Sequence, residues 1–151
     1  MSNLDRSFWT DRKVRIVDPT AIMQVGALCL RTANSGPEVL LVKSSRGRWI
    51  IPKGWPIRGL SSKETALQEA WEEAGVSKAD IEEEPMGYFE YAKGLSSGAT
   101  VPVEAQVYMT RVRDLKQSYP EVDERTREWF SPDEAAELVD EPDLKAILRT
   151  L

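Results

Sequence analysis

Glu69, Glu72 and Glu73 stand at spacings of i, i+3 and i+4 within a stretch that reads GWPIRGLSSKETALQEAWEEAGV from Gly54 to Val76. At about 100° per residue, a helix would carry all three carboxylates on one face within about one turn. Like charges so placed repel one another, and two arrangements relieve the repulsion. One is a solvated acidic surface, the common fate of Glu-rich helix faces. The other is a hard divalent cation, which takes oxygen ligands and converts repulsion into coordination. Just upstream, Pro52-Lys53-Gly54-Trp55-Pro56 supplies a glycine at which backbone can approach a metal or phosphate closely.

Composition limits the alternatives. The 151 residues include no histidine and one cysteine, Cys29. That excludes Ser-His-Asp and Cys-His hydrolysis, histidine bases and Cys/His metal centres. Any metal must use oxygen donors, which points to Mg²⁺, Mn²⁺ or Ca²⁺. Cys29 itself reads as a small buried hydrophobe. Twenty-five acidic residues against twenty basic ones leave a net charge of -5, so no nucleic-acid partner is expected. The start, Met1 to Arg6 followed by Asp11-Arg12-Lys13, has no apolar core of a signal peptide. No apolar run approaches the roughly 18 residues of a membrane span, so the expected location is cytoplasmic. The length is that of one domain, 1–151, with residues 1–15 expected as a flexible N-terminal arm.

The elements that would position the acidic face are legible. Thr20 to Arg31 reads as a buried strand and Glu38 to Lys43 as a second, with a turn at Asn34-Ser35-Gly36-Pro37. Arg48 to Ile51 reads as a short third strand stopped by Pro52. Ser61 to Ala74 reads as a helix with a Ser61/Glu64 capping box and Gly75 beyond its last turn. Ala66, Leu67, Ala70, Trp71 and Ala74 recur at helical spacing as its expected core face. Met86 to Tyr91 and Val101 to Val112 read as strands, the second with Val103, Ala105, Val107 and Met109 on a dry face and Glu104, Gln106 and Tyr108 on a polar one. Arg127 to Phe130 is a further strand, and Ser131-Pro132-Asp133-Glu134 opens a helix. Leu144, Ile147, Leu148 and Leu151 stripe the last helix. The class is α+β or α/β with a mixed sheet.

The strand, glycine loop and capped acidic helix together resemble the Nudix hydrolase family, whose signature is G-x5-E-x7-R-E-U-x-E-E-x-G-U. Gly54, Glu69, Glu72, Glu73, Gly75 and Val76 match it in register. Leu60 stands where the family carries Glu and Gln68 where it carries Arg, so both partners of the supporting pair are replaced together. Ala70 is small for the aliphatic position. The resemblance extends to the segments SSRGRWIIPKG and RTREWF, which are similar to the diphosphoinositol polyphosphate phosphohydrolases and the related diadenosine polyphosphate hydrolases. Gln24 departs from that branch, where the inositol-phosphate enzymes carry Arg.

The resemblance implies an α/β/α sandwich with a mixed sheet flanked by helices. It implies a Mg²⁺- or Mn²⁺-dependent pyrophosphohydrolase acting on a nucleoside diphosphate-X, a dinucleoside polyphosphate or a diphosphoinositol polyphosphate. Metal would be held by Glu69, Glu72 and Glu73 with the Lys53 carbonyl and Gly54. Glu69 or Glu73 would act as base, and Glu104, Glu121 or Glu124 could supply a further base or ligand. Ser45, Arg46, Arg48, Lys53 and Arg125 would grip substrate phosphates. The bland reading of each charge is a solvated surface, and Asp123 belongs with the acidic loop on that account. Trp49, Trp71 and Trp129 read as packing, whereas Trp55 divides evenly between base stacking and loop packing. The competing functions are a non-catalytic phosphate-ligand sensor and a partner-binding domain on the same fold. Monomer and homodimer are both open.

Overall fold

The computed structural model describes residues 22–151, so the N-terminal arm and the expected strand start at Thr20 lie outside the described residues. The order is β1 (Ile22–Ala33), β2 (Gly36–Lys43), β3 (Trp49–Ile50), β4 (Lys53–Gly54), α1 (Ser62–Ala74), β5 (Val76–Ile81), β6 (Gly87–Gly94), β7 (Thr100–Leu115), β8 (Arg127–Phe130), α2 (Pro132–Leu138) and α3 (Pro142–Leu148). β1 and β7 run parallel at the centre, from Ile22 opposite Val103 to Leu30 opposite Arg111. All the other pairings are antiparallel, giving the mixed sheet expected: β2 joins β1, β3 and β8 join β2, and β5 and β6 join β7.

Each face of the sheet is covered. Met23, Val25, Ala27 and Cys29 point one way and pack with Ala66, Ala70 and Ala74 of α1. Leu28, Leu30, Phe89, Ala105 and Val107 point the other way, against Ala135 and Ala136 of α2 and Leu144 and Leu148 of α3. Helices on both sides make an α/β/α sandwich. Three successive alanines at i, i+4 and i+8 let α1 approach the sheet closely, so its outward and lateral carboxylates are held by a rigid seat. Among the described residues no helix is long and apolar enough to cross a membrane.

The local expectations fare unevenly. The turn between β1 and β2 contracts to Asn34-Ser35, because the hairpin pairs out to Ala33 and Gly36. Lys53-Gly54, expected as loop, is a short strand against Val25 and Gly26. β5 was not expected at all: its sequence VSKADI is mostly polar because it lies at the sheet edge, exposed along one side. Leu67 and Trp71 are not in the core. They are half-buried and line an apolar groove of about 700 Å³ with Leu60, Gln68, Val76 and Ala79, because three alanines already fill the contact with the sheet. The expected polar face of β7 is buried too: Glu104 and Gln106 are 0% exposed and Tyr108 2%.

Candidate active site

The acidic helix is fixed at both ends. The Ser61 hydroxyl accepts from the Glu64 amide and the Glu64 carboxylate accepts from the Ser61 amide, completing the capping box. At the far end Gly75 adopts φ 73°, a conformation that glycine takes without strain. A side chain there would also collide with Tyr119 and the Arg127 guanidinium, each 2.5 Å from where its Cβ would sit. The last carbonyls of α1 are not left to water. Ala74 accepts from Arg127 Nη1 at 2.6 Å, Glu72 from the Glu121 amide at 2.9 Å, and Gly75 from the Lys116 amide at 2.9 Å.

Gly54 abuts the first carboxylate. A methyl group at that Cα would overlap the Glu69 carboxylate, so β4 and α1 touch only because residue 54 has no side chain. Glu73 is the buried member, 4% exposed. Burial first, and then its hydrogen bond to Glu69, raise its pKa from 4.5 to about 8. Glu69 is also shifted upward, chiefly by burial. At neutral pH the two carboxyls share a proton, Glu73 donating to Glu69. Glu73 Oε1 remains buried without a hydrogen-bond partner, an acceptor with nothing to accept. Glu72 faces aside: its Oε2 accepts from Gln68 Nε2 at 2.6 Å. Among the described residues, no three acidic side chains are already gathered as a metal cage.

Glu73 opens onto a cleft of about 340 Å³ whose lining includes five basic residues, Arg46, Arg48, Lys53, Lys93 and Arg125. Ser45, Arg46 and Arg48 come from the β2–β3 turn, Lys53 from β4 and Arg125 from the loop before β8. These are the five residues expected to meet phosphate, and the fold brings them to one place. Lys53 lies with its ammonium 4.8 Å from the centre of the Tyr91 ring, and burial lowers its pKa. Arg125 is braced by Glu121, Nε to Oε1 at 2.7 Å. Burial alone would lower its pKa, but Glu121 and Glu73 outweigh that and raise it. Arg48 reaches Asp140 at 3.6 Å in a pair exposed on both sides, a contact of little energetic weight.

The three additional acids separate. Glu121 is engaged with Arg125, and Glu124 is exposed beside it. Glu104 is fully buried in β7 opposite Met23 and Glu90, away from the cleft lining. The cleft also holds residues that the motifs did not offer: Tyr91, Lys93, Asp140 and Glu141. Tyr91 and Lys93 alternate with exposed neighbours at the end of β6, and that period of two, ending in a basic residue, was the available signal. Tyr91 donates its hydroxyl to Gln24 Oε1, which explains a glutamine at a position facing the cleft.

The model of the NUDIX domain matches residues 23–151. The chain belongs to the Nudix family. Among curated relatives of this Nudix chain, Nudix hydrolase 4 of Arabidopsis thaliana is 33% identical over 102 residues, 67% of this chain and 47% of that protein. Nudix hydrolase 16, mitochondrial, of the same plant is 31% identical over 115 residues, 74% of this chain and 63% of that protein. The Nudix chain thus matches about half to three-fifths of the length of these relatives. Its fold is that of a C. elegans Ap4A hydrolase, with a TM-score of 0.65 at 19% identity over 85% of this chain and 93% of that one. The E. coli dihydroneopterin triphosphate pyrophosphohydrolase is similar in fold, at TM-score 0.63, 11% identity and 85% and 93% coverage.

Proposed function

We propose that this Nudix chain is a divalent-cation-dependent pyrophosphohydrolase that cleaves a diphosphate linkage in a small phosphorylated substrate, with Mg²⁺ or Mn²⁺ as the ion. The observation that carries the reading is a carboxylate pair in which Glu69 abuts Gly54 and its partner Glu73 lines a cleft with Arg46, Arg48, Lys53 and Arg125. Acids beside bases could merely neutralise one another across a surface. Here Glu73 is instead buried with an unsatisfied oxygen, which has a cost unless a cation or proton completes it.

The donor set fits a hard cation: all-oxygen ligands, one of them an orphaned carboxylate oxygen, and a glycine that admits close approach. Glu69, Glu72 and Glu73 with the Lys53 carbonyl are the residues to hold it. A bound divalent ion supplies charge neutralisation of the diphosphate and acidifies a water for attack. The chain's own side chains do the rest. Lys53 and Arg125 neutralise the non-bridging oxygens of the group under attack. Arg46, Arg48 and Ser45, at the exposed rim, hold phosphates further from the scissile bond. A carboxylate of the Glu69–Glu73 pair accepts the proton of the attacking water. No compartment or oligomeric state is needed by this chemistry.

The test is phosphate release with Mg²⁺ or Mn²⁺ across dinucleoside polyphosphates, ADP-ribose, nucleoside triphosphates and diphosphoinositol polyphosphates. Metal-dependent turnover of at least one class is the expected result. Binding without turnover of any would identify a sensor on the same fold.

A further inference from the structure

We propose that Tyr91 is a positioning residue: its ring, oriented by Gln24, holds the Lys53 ammonium in place to meet substrate phosphate. The inference rests on the proposed phosphate chemistry of the cleft and names what fixes one of its cations.

A lysine ammonium rides on a flexible four-carbon stem, so a fixed role needs something to hold it. Among the described residues Lys53 makes no ion pair within 4 Å, and Glu73 and Glu141 act on it only from further off. Its ammonium instead lies 4.8 Å from the centre of the Tyr91 ring, within cation–π range. A π-face attracts the ammonium without cancelling its charge, whereas a carboxylate would compete with the substrate for it. At the other end of the side chain the backbone is pinned. Lys53 pairs with Gly26, and a Cβ at residue 26 would come within 3.3 Å of the Lys53 Cβ.

The ring is itself held on two sides. Phe89, buried in the core, stacks against it with centroids 6.1 Å apart. The Tyr91 hydroxyl donates to Gln24 Oε1, and Gln24 is 4% exposed. β7 lies between the strands of these two residues, so their side chains together bridge two strand spacings, about 10 Å. Ala105 of β7 stands opposite Gln24 and carries only a methyl group, which leaves the tyrosine room to lean across. Gln24, Lys53 and Tyr91 all line the cleft. Along β1, Gln24 and Gly26 share a face, one orienting the ring and the other seating the lysine.

The experiment reads two quantities in the whole chain and in its Tyr91→Leu, Tyr91→Phe, Gln24→Leu and Lys53→Met variants. One is the calorimetric affinity, in Mg²⁺, for imidodiphosphate, a hydrolysis-resistant diphosphate. The other is the NMR position of the Lys53 ε-methylene protons, identified by their loss in Lys53→Met. We expect those protons upfield of the other lysines, shielded by the ring, and back at the ordinary position in Tyr91→Leu. Tyr91→Leu raises the Kd about tenfold, on the scale of a partly desolvated cation–π contact. Tyr91→Phe keeps the ring and most of the affinity, and Gln24→Leu, which frees the hydroxyl, matches it. In the Lys53→Met background Tyr91→Leu costs nothing further, because the two side chains act as a unit. Unshielded Lys53 protons in the unmodified chain, or a full additional loss in the double variant, would overturn the proposal. The expected pattern without turnover of any substrate would support it while refuting the proposed reaction.

Discussion

Gln68 Nε2 donates to Glu72 Oε2 at 2.6 Å across one turn of α1. Gln68 occupies the position where the family signature carries arginine, and the neutral amide orients the carboxylate without cancelling its charge. Gln68→Leu removes the donor and keeps the helix. As an i, i+4 pair it should cost the metal-free fold only about 0.2–0.5 kcal/mol. The metal concentration needed for half-maximal thermal stabilisation should rise several-fold, because Glu72 must then be ordered by the ion. An unchanged metal titration would show that Glu72 needs no such support.

Mg²⁺ or Mn²⁺ at millimolar concentration is expected to raise the melting midpoint over that in EDTA, since ligands that bind only the folded state stabilise it. Absence of a shift with both ions would argue strongly against a metal site at Glu69 and Glu73.

The same pair gives the metal-free protein a pH dependence. The Glu73 pKa rises from 4.5 to about 8 in the folded state, so the folded chain holds a proton that the unfolded chain releases between those values. Stability in EDTA should therefore fall as pH rises from about 4.5 to 8. Glu73→Gln, which cannot ionise, should flatten that slope. Melts from pH 5 to 8 in EDTA measure both.

Glu72→Gln and Glu73→Gln are expected to lower turnover by about two orders of magnitude or more at saturating metal, the scale of base and metal-positioning effects. Glu64→Gln is the control. Its carboxylate accepts the Ser61 amide in the capping box, so the substitution should lower the melting midpoint and spare kcat. Wild-type kcat in both Glu72→Gln and Glu73→Gln would refute the mechanism.

Arg46 and Arg125 should differ. Arg46 is exposed at the rim, so Arg46→Ala should raise KM with little change in kcat. Arg125 is half-buried, braced by Glu121 and in the field of Glu73. Arg125→Ala should lower kcat as well as raise KM, because Arg125 faces the group under attack, and should also lower stability, because Glu121 loses its partner. Equal kinetic and thermal behaviour of the two variants would contradict that division.

What the sequence made legible was local in origin. The capping box, Gly75 and the i, i+3, i+4 acids are each defined within one or two turns, so α1 and its carboxylates could be placed without the fold. The cluster of Arg46, Lys53 and Arg125 was legible only through resemblance, since the chain brings them together over some 80 positions. Tyr91 and Lys93 escaped notice because their alternation in β6 marks a shared face, while their approach to the cleft depends on the pairing of β6 with β7. Leu67 and Trp71 misled for a related reason: periodicity marks an apolar stripe but not its width. The alanines alone meet the sheet, and the larger residues fall on the flank beside Leu60.

The tie between the end of α1 and the loops beyond it has a consequence for motion. The amides of Lys116 and Glu121 lie outside any helix or strand, yet each is bonded to a carbonyl at the helix terminus, Gly75 and Glu72. Such amides can exchange with solvent only when the last turn of α1 opens or the loop lifts from it. In a hydrogen-exchange experiment they should behave as part of α1 and not as loop. Any ligand that tightens Glu72 and Glu73 would slow their exchange, so two loop amides would report on occupancy of a site they never touch.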